Sequence, residues 1–169
     1  ICAHIAHGDL KKYGKATPKS CLVNGENRLF LEIERFDRNL SGGRLGVLSL
    51  RALDLEFVGA LKSCSDSAKS LFGKKIMGES VYQNIVWLDV FGKLIGNSDR
   101  HHGNISFFCT GEKIAGLTPT YDMLPMMYAP QQNQLVARTF DPAPPRFSEI
   151  SVWNDALAAA RYFWSQVQH

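Results

Sequence analysis

The chain has 169 residues, 45% of them hydrophobic, and its 19 basic and 16 acidic side chains leave a formal charge of +3. This composition excludes a disordered segment and supplies apolar material for one packed core. The charges are scattered and cluster only in pairs such as Lys11-Lys12 and Lys74-Lys75, so the chain lacks the basic stripe that marks a dedicated nucleic-acid binder. No apolar run approaches the roughly 18 residues of a membrane span, and no basic-then-apolar leader opens the chain. Cys2, Cys21, Cys64 and Cys109 lie far apart without a C-x-x-C pair, which fits a reduced, cytoplasmic protein. The chain opens on Ile1 and closes on AAARYFWSQVQH without a helix-stop residue, so a piece of a longer protein, cut inside helices at both ends, is expected.

Residues 1–13 place Ile1, Ile5, Leu10 and Tyr13 at helical spacing, with Gly14 where a helix would close. Two β-prone runs, Cys21 to Val23 and Leu29 to Ile33, flank Asn24-Gly25-Glu26-Asn27 and predict a hairpin. NLSGGRLG (39–46) reads as a loop, because no strand-to-helix junction with Lys-Ser/Thr follows it as a phosphate cradle requires. LSLRALDLEFVGALK (48–62) is compatible with a helix, and 63–70 with a polar connection or a helix start. The most periodic stretch, GESVYQNIVWLDVFGKLIG, predicts a long, largely buried helix with Ser80 as its cap and Gly96 just past its end.

A hairpin follows, with strands near 105–109 and 113–117 around Thr110-Gly111-Glu112. Turn-rich APQQNQ and DPAPPRFS are loops, and helical spacing returns from about Val152 to Val167. Trp87, Trp153 and Trp164 fall in helical patterns and are expected in the core.

The informative stretch is GNSDRHHGNISFF (96–108), a polar cluster between an apolar helix and an apolar strand. If the hairpin turns near Gly111, position 118 lies opposite Asn104, and Asp122 follows a few residues beyond. Asp99, Asn104 and Asp122 then converge at one end of the hairpin. Oxygen donors from Asn and Asp suit a hard cation such as Mg²⁺, and a further carboxylate can accept the proton of an attacking hydroxyl. The spacing Asp-x-x-x-x-Asn followed by a second Asp matches the logic of phosphoryl transfer in protein kinases.

LEIERFDR (31–38), GNSDRHHGNISFF (96–108) and LTPTYDMLP (117–125), taken in this order, resemble the HipA-like serine/threonine kinases, the toxin components of bacterial toxin–antitoxin pairs. The resemblance implies an α+β, kinase-like fold with a mainly helical C-terminal lobe, a catalytic β-hairpin and a small antiparallel sheet remnant of the N-lobe. Residues 1–38 would be the end of the N-lobe and its hinge, and 39–169 the helical C-lobe. It implies transfer of the ATP γ-phosphate to a protein hydroxyl with Mg²⁺, Asp99 as catalytic base, and Asn104 and Asp122 as the metal ligands. The main chain of Glu34 and Phe36 would hold the adenine, with Asp37 near the ribose. His101, His102 and Gly103 would lie beside the phosphates, and Tyr121, Met123 and Leu124 beneath the nucleotide. A protein substrate and a DNA-binding antitoxin partner follow as implications. The phosphate-covering Gly-rich loop and its strand Lys are expected upstream of Ile1, and Ala52 stands where a nucleotide-assisting Gln is expected.

Other readings compete. Asp99 alone could be a loop carboxylate paired with Arg100, and Glu34 could pair with Arg35 or Arg38 at a strand edge. Asp99, His101 and Asn104 could form a metal-dependent nuclease site, or the chain could be a non-catalytic binding module. Adjacent His101 and His102 on an extended chain would point apart, which argues against a zinc site.

Overall fold

Gly96 fixes where the longest internal helix stops and where the polar cluster starts. In the computed structural model, which describes every residue except Leu40, Glu112, Asn133, Leu135, Gln168 and His169, that helix is α4 (Glu79–Leu94). Its end is a paired cap: Gly96 sits at φ +74, its N–H donates to Lys93 O at 3.3 Å, and Asn97 N–H donates to Gly92 O at 2.8 Å. Only a residue free of a Cβ penalty takes that backbone cheaply, so the helix closes here and releases the chain sideways.

Around α4 the order is α1 (Cys2–Lys12), β1 (Ser20–Asn24), β2 (Leu29–Ile33), β3 (Gly46–Ser49), α2 (Leu50–Phe57) and α3 (Cys64–Gly73) before it. After it come β4 (Ser106–Thr110), β5 (Lys113–Leu117) and α5 (Ile150–Val167). Helices dominate and both sheets are small and antiparallel, so the class is α+β as expected. The last helix starts two residues earlier than its periodicity indicates. The central helix begins after Gly78, which serves as its N-cap without a side-chain bond; Ser80, the expected cap, lies inside the first turn.

The stretch from 48 to 62 is not one helix. It splits into the end of β3, then α2 capped by Ser49, whose hydroxyl accepts Ala52 N–H at 3.2 Å, and then a turn. Pairing with β4 captures Gly46–Ser49 as a third strand, and a tertiary partner of this kind overrides local helical spacing. Ser63 caps α3 by accepting Asp66 N–H at 3.1 Å, which resolves the 63–70 stretch as a helix start.

Helix α4 is apolar on several sides because it separates two cores. On one side Trp87, Phe91, Leu94 and Ile95 pack with Ala6 and Leu10 of α1, Ala156, Ala159 and Phe163 of α5, and Met123. On the other, Ile85 packs with Leu50 and Leu53 of α2, Cys64, Ala68 and Leu71 of α3, and Ile105 and Phe107. Phe91 and Phe163 are fully buried and meet edge to face, their ring centroids 6.3 Å apart. Burial of each such ring stabilises the fold by about 2–3 kcal/mol. Trp87 is core, while Trp153 and Trp164 are partly buried against the same cluster. Helix α1 therefore shares its core with α4 and α5 of the helical lobe, although the sequence places it with the segment before residue 38.

The β1–β2 hairpin pairs Leu22 with Leu31 and Val23 with Phe30, as its Asn-Gly turn predicts. In β4–β5, Phe107 faces Leu117 and Phe108 faces Gly116, and then a bulge shifts the pairing so that Cys109 faces Ile114. Gly116 at φ +155 accommodates the irregularity. The bulge moves the register from the one expected: Thr118 N–H donates to Ser106 O at 2.9 Å, so position 118 lies against 106 and not against Asn104. Asp122 stays close to the start of the hairpin all the same. Glu112 of the connecting turn, Leu40 of NLSGGRLG and Asn133 of APQQNQ lie outside the described residues.

Candidate active site

Asn97, next to the helix-closing glycine, joins the two polar stretches. Its Oδ1 accepts Asp99 N–H at 3.2 Å, and its Nδ2 donates to Asp122 O at 3.4 Å. An Asn bonding the backbone two residues on is an ordinary local turn; here the same side chain also reaches the segment after β5. Asn104 Nδ2 donates to Asp99 O at 3.3 Å, and Asn104 N–H to His101 O at 2.9 Å. The segments carrying Asp99, Asn104 and Asp122 are thus stitched together through main-chain oxygens and amides, and the carboxylates of Asp99 and Asp122 take no hydrogen bond or ion pair among the described residues. Both residues are exposed. Asp122 adopts φ +56, a left-handed conformation that Asp tolerates better than most residues.

Arg100 is not the partner of Asp99. Its Nε donates to Asp89 of α4, so the pairing that would have made Asp99 a structural carboxylate is absent. The ERFDR ladder also differs from expectation. Arg35 grips Asp37 through two bonds of 2.6 Å, Arg38 approaches the same carboxylate at 3.8 Å, and Glu34 pairs at 3.4 Å with Lys19. The hydrogen bonds from Arg35, followed by its charge, hold the Asp37 carboxyl down at about 2. Glu34 N–H is spent on Lys19 O at 2.9 Å, but Glu34 C=O and Phe36 N–H have no partner among the described bonds.

The Phe36 side chain is more than a bystander. Its ring stacks on Tyr121 at 5.6 Å and meets Phe108 edge-on at 6.1 Å, locking the segment after β2 to the second hairpin. Tyr121 completes the joint: its hydroxyl donates to Gly103 O at 2.9 Å and lies 2.7 Å from Ser106 Oγ. Thr120 N–H donates to Ala16 O at 2.7 Å, tying the same segment to the chain after α1.

Two of the expected ligand contacts lie elsewhere. Met123 is fully buried in the α1–α4–α5 core, its Sδ 3.5 Å from Asn97 Nδ2, so it anchors the Asp122 turn from beneath and has no free surface for a nucleotide. His102 is buried and turned toward α3, with Nε2 2.8 Å from Ser67 Oγ; burial pushes its pKa below the usual imidazole range. His101 is exposed, and its Nδ1 accepts Gly103 N–H at 3.0 Å, which puts the ring proton on Nε2. Leu124 is partly buried.

Asn97 and Phe36 thus join the segments of the candidate site in ways the sequence underrates. Asn97 carried a signal, an Asn two residues before the key Asp at a helix end; the packing of Phe36 on Tyr121 carried none.

The donor set of Asn104 and Asp122 is all oxygen, two protein ligands that leave room for water and phosphate oxygens, and so it fits Mg²⁺. Among the described residues no group of three or more His, Cys, Asp or Glu could hold a metal ion. Beside the loop opens a cleft of about 790 Å³, walled by Lys62, Ser63, Asn97, Ser98, His101 and Phe140. Cys64 also lines it, but burial pushes that thiol up to about 12, so it stays protonated. All four cysteines are free.

The family model for the HipA-like C-terminal domain matches residues 4–163. The chain belongs to the HipA-like family. It is 36% identical over 159 residues to Toxin YjjJ of Escherichia coli strain K12, a match that covers 90% of this chain and 34% of that protein. The HipA-like chain therefore spans about a third of the curated relative it matches. Its fold is also that of HipA from Shewanella oneidensis MR-1, solved with HipB and operator DNA, with a TM-score of 0.61 and 21% identity over 96% of this chain and 44% of that one. Helicobacter pylori proinflammatory kinase CtkA is similar at a TM-score of 0.53 and 16% identity, covering 72% of this chain and 43% of that one. The HipA-like chain is thus toxin-related and kinase-like in fold, and among its described residues no helix is long and apolar enough to cross a membrane.

Proposed function

We propose that this HipA-like chain carries the catalytic lobe of a serine/threonine protein kinase that transfers the γ-phosphate of ATP to a protein hydroxyl. The observation that carries the reading is the stitching of Asp99, Asn104 and Asp122 through Asn97 and through each other's main chain, with both carboxylates left free. Asp99 accepts the proton as the substrate hydroxyl oxygen bonds to the γ-phosphorus and the bond to the β–γ bridging oxygen breaks. Asn104 Oδ1 and the Asp122 carboxylate would hold Mg²⁺, which when bound supplies charge neutralisation at the phosphates.

Glu34 C=O and Phe36 N–H, both unspent and two residues apart, form an acceptor–donor pair suited to an adenine edge. Asp37, ionised by its arginines, suits ribose hydroxyls. His101 and Gly103 stand beside the phosphates, with Tyr121 and Leu124 beneath the nucleotide. The 790 Å³ cleft gives a substrate segment room next to the loop. Residues 34–38 act as the hinge that ends the N-lobe portion, to which the β1–β2 hairpin belongs, and opens the C-lobe, 39–169, whose core α1 shares. A toxin role in the cytoplasm with a DNA-binding antitoxin as partner accords with the HipA relative, whose structure contains HipB and operator DNA.

No observation favours the nuclease reading. His102 is turned inward, and the acceptor nitrogen of His101, Nδ1, is already taken by Gly103 N–H. The test is calorimetric titration of ATP into the chain, with and without Mg²⁺, alongside Asp122→Ala. Mg²⁺-dependent binding that Asp122→Ala abolishes is the expected result; equal binding by both proteins refutes the assignment. Antitoxin binding without any response to nucleotide would favour the non-catalytic module.

A further inference from the structure

From Asp99 to His102 the loop alternates. Asp99 and His101 are exposed, whereas Arg100 and His102 turn inward, and each joins a carboxylate–serine pair whose serine lies near the start of α3. Arg100 Nε donates to one oxygen of Asp89 on α4; the other oxygen accepts Ser65 N–H at 2.7 Å and the Ser65 hydroxyl. His102 Nε2 lies 2.8 Å from Ser67 Oγ, and that hydroxyl donates to Asp54 on α2. Because the hydroxyl proton is spent on Asp54, Ser67 Oγ accepts from His102, which therefore carries its proton on Nε2. The other Asp54 oxygen accepts Ala60 N–H at 3.1 Å and Leu61 N–H at 2.9 Å.

Two grips, one from α2 and one from α4, thus converge on Ser65 and Ser67 of α3 and hold alternate residues of the loop. Their members are deeply enclosed: Asp54 is 0% exposed, Ser67 1%, Ser65 8% and His102 9%. Apolar side chains of the same volume would stabilise this region at least as well, since buried charge is weak evidence for stability. Hydrogen-bonded polar networks do something apolar contacts do not, which is to fix one geometry, and here they do so although Arg100 Nη2 is buried without a partner among the described residues. The loop needs that service, because it leaves a helix end and joins no sheet until Ser106.

We propose that Ser65 with Asp89, and Ser67 with Asp54, are positioning residues that set the loop so that Asp99 and Asn104 stand in fixed relation to Asp122. The functional consequence rests on the kinase reading above; the mechanical one does not. Within the loop, the Asn104 amide spans back to Asp99 O, so displacement of Arg100 or His102 moves both ends of the Asp-x-x-x-x-Asn unit together.

The test is hydrogen exchange of the whole chain, comparing the parent with Ser67→Ala and, separately, with the nearly isosteric Asp89→Asn, which breaks the Arg100 ion pair with little change of shape. Exchange of amides 97–105 should rise about tenfold or more in each variant while α5 changes less than about threefold, the pattern of a local and not a global opening. In parallel, the Mg²⁺-dependent part of ATP affinity should fall about tenfold, with Mg²⁺-free binding reduced less than about threefold, because the loop carries Asn104 and phosphate contacts but not the adenine contacts. Unchanged protection at 97–105 in Asp89→Asn, or a rise shared equally by loop and α5, would overturn the proposal. If the parent shows no Mg²⁺-dependent binding, the kinase assignment fails, while the exchange result still decides the grips.

Discussion

Replacement of Asp122 by glycine separates function from fold. The residue sits at φ +56, where an L-residue pays about 1–2 kcal/mol, Asp toward the low end. Glycine removes that cost but adds about 0.4–1 kcal/mol of unfolded-chain freedom. Nothing else structural is lost: the side chain is exposed and unbonded among the described residues, and the bond that matters, from Asn97 Nδ2 at 3.4 Å, goes to the main-chain oxygen that glycine retains. The net change is therefore about 0 to +1 kcal/mol, a rise in Tm of about 0–4 °C for a chain of this size. Calorimetric unfolding should give that result, and titration on the same sample should show Mg²⁺-dependent ATP binding abolished. A fall in Tm beyond about 4 °C would refute the reasoning, because the carboxylate would then be supporting structure.

Tyr121→Phe keeps the ring on Phe36 but removes the hydroxyl that meets Gly103 O and Ser106 Oγ. It should cost about 1–2 kcal/mol, read as a lower urea midpoint at unchanged slope. Asp9, almost fully enclosed on α1, has its carboxyl pushed up from 3.8 to about 6 by burial, against the pull of Lys12. The folded state then holds the proton more tightly than the unfolded one, so the stabilisation is full below about 3.8 and is lost as pH rises through 6. The whole shift corresponds to about 3 kcal/mol; halved for solvent screening, about 1.5 kcal/mol should disappear between pH 4 and 7. Asp9→Asn should lack that loss in parallel urea titrations, and identical pH profiles for the two proteins would disprove the assignment.

Periodicity and turn chemistry were enough to locate α1, α4, α5 and both hairpins, because each carries its own signal: a one-sided apolar spacing, an Asn-Gly, a terminal Gly96. They failed where a partner decides. Gly46–Ser49 becomes a strand because β4 lies beside it, and the 106–118 register depends on a bulge that no local residue announces except Gly116. The same division runs through the site. The spacing of Asp99, Asn104 and Asp122 could be grouped from sequence because phosphoryl transfer restricts residue type at fixed spacing, and the fold brings their three segments together. Asp54 and Asp89 were not, since a carboxylate inside a helix pattern has the same appearance in sequence whether it faces water or a buried serine.

His102 shows why the two kinds of information must be joined. Beside His101, and within two positions of Asn104, it has the sequence context of a ligand contact; in the fold its ring is spent on Ser67. The loop therefore reads as two interleaved sets, the residues that face outward and the residues that hold them. Six consecutive positions carry no period long enough to separate those sets from sequence. What separates them is the arrival of α2 and α4 on one side only of the loop: the side chains on that side find Asp54, Asp89 and two α3 serines, and the others are left free. On this view a substitution at Arg100 or His102 disturbs Asp99 as well, and the damage travels through the buried grips on Asp89 of α4 and Ser67 of α3.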